Sequence, residues 1–454
     1  EEEAEVASSN AGPRSVSLVV NNEKGQHCDM QVVTSVVELP DSWARWLWLH
    51  SLPPSAQTSS MLESIEPPTP RGLFICTTDP LLLDSLVGTS TSFSTSLGAG
   101  LSKVPHFMRA AGTRATTAEE RPILFAGEND HDAVENLRKL LHDRVDVVPC
   151  MVDRICTDRT LTTVGKFTTM EVVCEPYKGF LMPRVAISRL IFSPPFAGDA
   201  IWIPRSSEEA SYLYRRKLML VNGLHTTLAF LTLCHHVDVL DPLVRIPTPT
   251  DGDKLVAPLD KYVLMTDESA PDEESKNKIW CWAVARCLCL MQEPGLEVIK
   301  KAHAADIEAS GPEADPNRVA VDKLLAYART TLHRFVGAVD TTGRILGGGV
   351  ANRYKGRMEP VSVAVNRDDA FNGLGAKLLL EQAGLHPIDI VDAVNELTSD
   401  ALQFTGLGNR RALKRESRFD SIDRLERVAS IDKLDFYHRR AAAADDLTDH
   451  SEKL

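Results

Sequence analysis

No unbroken run of about 18 apolar, uncharged residues occurs in this sequence, so nothing in it reads as a bilayer-spanning helix. The nearest approach, residues 218–233, is interrupted by Asn222, His225 and three threonines. A positive charge excess is also missing. Lys plus Arg number 50 against 63 Asp plus Glu, a net charge of −13, which removes any general electrostatic pull toward nucleic acid or an anionic membrane. Cys-x-x-Cys and His-x3-His spacings are absent, and with them the usual zinc-site patterns. The nine cysteines are odd in number and scattered. They make no disulfide framework and point to a reducing compartment, cytoplasmic or organellar. The opening Glu1-Glu2-Glu3-Ala4-Glu5 has no signal-peptide character, and no internal repeat is present.

What is present is enough for a large core: 454 residues, 43% hydrophobic and 25% charged, a length that suits two or three domains. Apolar runs at Ser15–Val20, Met30–Val37, Gly72–Thr78, Pro122–Ala126 and Val145–Val152 read as strands. A Pro80-initiated helix and a helix over 132–142 lie between them. The later runs are apolar without strict alternation, which predicts a parallel sheet covered on both faces. The segment 52–70, rich in Pro, Ser and Thr, reads as a loop, and Trp43, Trp46 and Trp48 as one face of a short buried helix. Helical patterns dominate after about residue 205: 207–236, 275–292, 320–335, 369–383 and 387–402. The expected organisation is an α/β domain over 1–200, a mostly α-helical domain over 201–405 and a charged tail over 406–454. In that tail Phe419, Ile422, Leu425, Val428, Ile431 and Leu434 recur every third residue, a face suited to a protein partner. Ser417 and Ser430, beside arginines, are expected kinase targets.

The helix over 207–236 carries three polar groups on an apolar background. At about 100° per residue, with Lys217 set at 0°, Asn222 falls at about 140° and His225 at about 80°. Burying an ammonium, an amide and an imidazole in one arc is costly unless they meet partners or a substrate. The set suits alcohol and carbonyl chemistry. A desolvated lysine can take a hydroxyl proton, and an amide can hold a developing oxyanion. Each group can equally be satisfied separately, with Lys217 snorkelling and His225 a core histidine.

Lys217-x4-Asn222-x2-His225 resembles the catalytic helix of the polyol-specific long-chain dehydrogenases, the family that includes mannitol 2-dehydrogenase and mannitol-1-phosphate 5-dehydrogenase. Upstream, Ile123-Leu124-Phe125-Ala126-Gly127-Glu128-Asn129 is similar to that family's strand ending in Cys-(Asp/Glu)-Asn, with Gly127 in the cysteine's place. Met151-Val152-Asp153-Arg154-Ile155 is similar to its Val-Asp-Arg-Ile signature. Downstream, Arg334-Phe335 and Asp340-Thr341-Thr342-Gly343-Arg344-Ile345 resemble its Arg-Phe…Asp-Thr-x-x-Arg-Ile stretch, without the intervening Asn-Pro.

The resemblance implies an NAD(H)-dependent oxidoreductase, with NADP left open and no metal, whose first domain is an incomplete Rossmann-like, doubly wound sheet. Lys217 would be the general base, and Asn129 and Asn222 would cradle the carbonyl oxygen. His225 would orient substrate or lysine, and Asp153 would lie near nicotinamide and substrate. The implied reaction interconverts D-mannitol 1-phosphate and fructose 6-phosphate. The alternatives are a free polyol or a non-catalytic scaffold descended from the family. Arg344, with Arg353 and Lys355 in Arg353-Tyr354-Lys355-Gly356-Arg357 after Gly347-Gly348-Gly349, supplies cations for a phosphate.

One element of the family is missing from its expected place. No G-x-G-x-x-G follows an apolar strand: Gly98-Ala99-Gly100 trails a Ser/Thr-rich segment expected to be helical, and no acidic residue is assignable to the ribose. The first βαβ unit is expected to lie before residue 1. Cys234-His235-His236 and Cys281…Cys287-Leu288-Cys289 sit on predicted core helices and read as packing, not as a metal site.

Overall fold

The computed structural model describes residues 14–20, 23–33, 45, 73–75, 80–112, 121–128, 130–164, 167–175, 177, 179–184, 200–239, 255, 259–337 and 339–406. Asn129, the Trp43–Trp48 segment apart from Arg45, the 52–70 loop and the tail over 409–454 lie outside these residues. The chain divides into two compact units, Glu1–Pro204 and Arg205–Leu454. The first unit is α/β and the second helical.

Unit one contains two sheets where the sequence led us to expect a single parallel one. The first runs β3-β2-β1-β8-β7, with β1 Arg14–Val20, β2 Glu23–Val33 and β3 Leu73–Ile75. The second runs β4-β5-β6-β9, with β4 Ser92–Thr95, β5 Ile123–Ala126, β6 Asp146–Asp153 and β9 Phe180–Pro183. Both are mixed. β4, β5 and β6 run parallel, and β9 joins β6 antiparallel. In the first sheet β1 is antiparallel to β2 and parallel to β8. The β7–β8 hairpin, Cys156–Val164 and Phe167–Cys174, was not foreseen. Its first strand is almost entirely exposed, so it lacks the apolar run by which buried strands announce themselves.

The central strand β5 shows why the apolar run reads as covered on both faces. Leu124 and Ala126 pack with Leu101, Val104, Val134, Leu137 and Leu141. Ile123 and Phe125 point the other way, into a cluster with Val148 and Cys150. Of the helices, α1 spans Pro80–Thr89, α2 Val104–Phe107 and α3 His131–Leu141. Asp130 caps α3 by accepting from the Ala133 N–H at 3.0 Å.

In unit two, α4 Ser207–Arg216 continues through a π-helical turn, Lys217–Asn222, into α5 Gly223–Val239. Ser206 caps its start, accepting from Glu209 N–H at 3.1 Å. Contrary to the sequence expectation, Ser207–Val237 is long and apolar enough to cross a membrane, but 72% of its apolar window is buried inside the protein, as in a core helix. Next come α6 Glu273–Leu290, α7 Leu296–Ala302, α8 Ala304–Ala309 and α9 Pro316–Val336. The unit continues with α10 Thr342–Leu346, α11 Val350–Arg357, α12 Glu359–Val365, α13 Leu374–Ala383 and α14 Pro387–Ala401. α6 is the central rod: from Cys281 to Leu290 every residue is buried, as an all-round apolar helix requires. Trp282 ties it to α14, donating Nε1–H to the Ala393 carbonyl at 3.1 Å.

Candidate active site

The polar trio does not sit on a regular α-helix. The turn Lys217–Asn222 is π-helical, and its i→i+5 register puts an extra residue into the turn. Each residue therefore advances by less than 100°, and Asn222 swings round toward the Lys217 side instead of standing 140° away. Lys217 is 5% exposed and His225 8%, while Asn222 is half-buried.

Two arginines brace this turn from other helices. Arg357 Nη1 donates to the Asn222 carbonyl at 3.0 Å and to Thr226 Oγ1 at 3.1 Å. Arg286 Nη2 donates to Thr227 Oγ1 at 2.7 Å and to the Arg357 carbonyl at 2.9 Å. Gly223 is what lets Arg286 come so close: a Cβ there would stand 2.8 Å from the Arg286 Cζ.

His225 collects the other segments. Its ring stacks on Phe335, centroids 4.6 Å apart at 21°. Its Nε2 lies 2.9 Å from Asp340 Oδ2, close enough for charge interaction but out of line for a straight hydrogen bond. Burial pushes the imidazole pKa down, against the opposing pull of Asp340, and the charges of Arg344 and Arg357 push the same way as burial. The ring is therefore neutral at neutral pH.

Each residue of Asp340-Thr341-Thr342-Gly343-Arg344 has a job in holding that carboxylate. Arg344 grips Asp340 with two nitrogens. Thr341 caps α10, accepting from the Arg344 N–H at 3.3 Å. Thr342 Oγ1 donates to the Leu259 carbonyl at 2.5 Å. Gly343 allows close approach to Asp260, whose Cβ would lie 2.8 Å from a Cβ at 343. Burial raises the Asp340 pKa, but Arg344 and His225 outweigh it and bring the carboxyl down to about 2.

Positive charge accumulates beside this carboxylate. Burial and the neighbouring Arg353 and Arg286 lower the Arg357 pKa to about 9. Burial alone does most of the same to Arg286, at about 10. Arg353 is lowered by burial and by Arg344. Among the described residues, no carboxylate lies within salt-bridge reach of Arg286, Arg353 or Arg357. A cleft of about 390 Å³ is lined by Leu255, Asp260, Gly343, Arg344 and Gly347, so that of these cations it is Arg344 that borders it, and Lys217, Asn222 and His225 are not among its lining residues. Arg286 is buried and Arg353 and Arg357 half-buried; guanidinium groups so placed with no acidic partner among the described residues favour an anion, and their forked donors match phosphate.

The sequence-derived residues fare differently. His225 and Arg344 meet at Asp340, Asn222 meets Arg357 through its carbonyl, Lys217 shares the π-helical turn with Asn222, and Arg353 lies near Arg344 and Arg357. Lys355 does not join them: it is exposed. Arg353, Lys355 and Arg357 lie on one helix, α11, where Arg353 and Arg357 share a face and Lys355 points elsewhere. Asp153 ends β6 in unit one, fully buried. Asn129 lies outside the described residues. Sequence reasoning assigned no role to Arg286, counted Arg357 only among the cations of its segment, and gave Asp340 and Phe335 no individual role. Arg286 carried a signal, as a lone charge inside the apolar run from Ile279 to Leu290.

The Ser/Thr-rich segment before Gly98-Ala99-Gly100 is strand β4, not helix, so a strand does lead into that turn. The turn still departs from a pyrophosphate cradle. Lys103 stands where the third glycine would be, and the Leu97 N–H at its mouth is bound by the Glu128 carboxylate at 2.7 Å. Among the described residues no group of three or more His, Cys, Asp or Glu is placed to hold a metal. No family model matches the chain, and no curated protein matches it.

Proposed function

We propose that the protein is an oxidoreductase of the mannitol-1-phosphate 5-dehydrogenase type, interconverting D-mannitol 1-phosphate and fructose 6-phosphate with NAD(H), its first unit Rossmann-like. One observation carries this reading. The two later segments that resemble the polyol dehydrogenases, well separated in sequence, meet at His225: it belongs to the Lys217-x4-Asn222-x2-His225 helix, stacks on Phe335 and faces Asp340 at 2.9 Å.

The chain's own groups divide the work. In the alcohol-oxidising direction Lys217 would accept the hydroxyl proton, and the Asn222 amide would hold the oxygen as it becomes a carbonyl. Neutral His225 would orient the substrate hydroxyl. Arg353, with Arg344 and Arg357, would take the phosphate. NAD supplies the hydride acceptor when bound. The Gly98-Ala99-Gly100 turn does not fit its pyrophosphate, since Lys103 stands at the third glycine position and Glu128 occupies the Leu97 N–H. That misfit favours a second reading, a non-catalytic descendant that keeps the polar cluster.

The test is NADH oxidation by the whole protein with fructose 6-phosphate and with fructose, comparing wild type and Lys217→Ala. Turnover with fructose 6-phosphate is expected, falling by roughly two to four orders of magnitude in Lys217→Ala. No turnover on either substrate refutes the dehydrogenase and leaves the second reading. Turnover on fructose alone moves the substrate to a free polyol. Undiminished turnover in Lys217→Ala refutes the role of that lysine.

A further inference from the structure

Unit one contains a cysteine pair with the geometry of a dithiol. On the antiparallel β7–β8 hairpin, Cys156 stands directly opposite Cys174. The rung beside them is Glu175 N–H to the Ile155 carbonyl at 3.1 Å. That bond joins the residue after Cys174 to the residue before Cys156, which makes Cys156 and Cys174 a non-hydrogen-bonded pair. In such pairs the side chains project to the same face and the Cα atoms are about 4.5 Å apart, inside the window of about 4.4–6.8 Å that a disulfide spans. A β-bulge between Cys156 and Asp158 interrupts the ladder on the other side, so the local backbone has room to adjust. Neither cysteine is in a disulfide. Cys156 is exposed and Cys174 buried behind it, the arrangement of an attacking and a resolving cysteine.

We infer that Cys156 and Cys174 form a reversible dithiol–disulfide site whose oxidant is a small-molecule disulfide of the glutathione class. The Cys156 thiol loses its proton to solvent, and its sulfur attacks the glutathione disulfide. A mixed disulfide forms and one glutathione thiolate leaves. Cys174 then gives up its proton and attacks the Cys156 sulfur, expelling the second glutathione. Two protein thiols and one glutathione disulfide become one protein disulfide and two glutathione thiols. The new bond would staple the corner after β6, since Cys156 follows Asp153-Arg154-Ile155 and Glu175 already holds the Ile155 N–H at 2.6 Å.

The experiment equilibrates the whole protein in glutathione buffers from fully reducing to fully oxidising, traps thiols by alkylation and maps peptides by mass spectrometry. A Cys156–Cys174 linked peptide, two hydrogens lighter than its parts, should appear toward the oxidising end, in monomeric protein, and vanish with dithiothreitol. Cys174→Ser should stop at Cys156 bearing one glutathione. Cys156→Ser, at an exposed position that tolerates exchange, should abolish both products whether or not Cys174→Ser folds. Absence of the linked peptide at the oxidising end overturns the inference. So does Cys156 pairing between molecules, or a bond that the reductant does not reverse.

Discussion

Replacing Gly223 by alanine sets two effects of opposite sign against each other. Gly223 has ordinary right-handed helical dihedrals, φ −69° and ψ −53°, so propensity alone predicts that alanine stabilises by about 1 kcal/mol. Packing predicts the reverse. The new Cβ would fall 2.8 Å from the Arg286 Cζ. That guanidinium has nowhere to go: Arg286 is 1% exposed and is held at 2.7 and 2.9 Å by Thr227 and the Arg357 carbonyl. Overpacking costs about 1–3 kcal/mol, and losing one charge-assisted hydrogen bond about 1.5–3 kcal/mol. The clash wins, and a net loss of about 2–4 kcal/mol is expected. Gly356, inside α11, is the control, because a Cβ there meets nothing within 4 Å. Gly356→Ala should stabilise by about 0.5–1 kcal/mol. Urea unfolding followed by near-ultraviolet circular dichroism reads both. If Gly223→Ala shifts the midpoint upward as Gly356→Ala does, Arg286 does not brace the π-helical turn.

Two other outcomes test the charges around His225. Asp340 titrates at about 2 in the folded chain against 3.8 otherwise. Its depressed pKa contributes about 2 kcal/mol that is fully present above pH 3.8 and lost as pH falls through 2. Asp340→Asn should therefore cost about 2 kcal/mol in urea unfolding at pH 7 and less at pH 3, and an equal deficit at both would remove Asp340 from that balance. Arg353→Ala should raise KM for fructose 6-phosphate roughly tenfold to a hundredfold, one charge-assisted hydrogen bond's worth, and leave turnover on fructose unchanged. Equal losses on both substrates would mean that Arg353 does not recognise phosphate.

Local sequence was enough for much of the framework. The apolar run at Ile123–Ala126 reads as a strand buried on both faces, and the helix expected from residue 387 does start at Pro387. Lys217, Asn222 and His225 stood out because polar groups on an apolar helix demand a reason. The exposed strand Cys156–Val164 carried no such signal, since a strand with neither face buried has no hydrophobic period to read. Nor could spacing foretell the π-helical turn, because the extra residue is held by Arg357 and Thr226 at the Asn222 carbonyl, and Arg357 lies 135 residues on.

Tertiary packing alone decided which charges meet. Arg353 and Lys355 are equal candidates in the sequence, yet the pitch of α11 turns one toward Arg344 and the other to solvent. Asp340 and His225 lie 115 positions apart, and their 2.9 Å contact exists because Thr342 and Gly343 pin the intervening chain against 259–260. Burial then sets the chemistry: the same histidine in water would titrate near 6.5, and only the folded surroundings keep it neutral below that. Residue types and periodicity are properties of neighbours in the chain, whereas desolvation and charge pairing depend on neighbours in space.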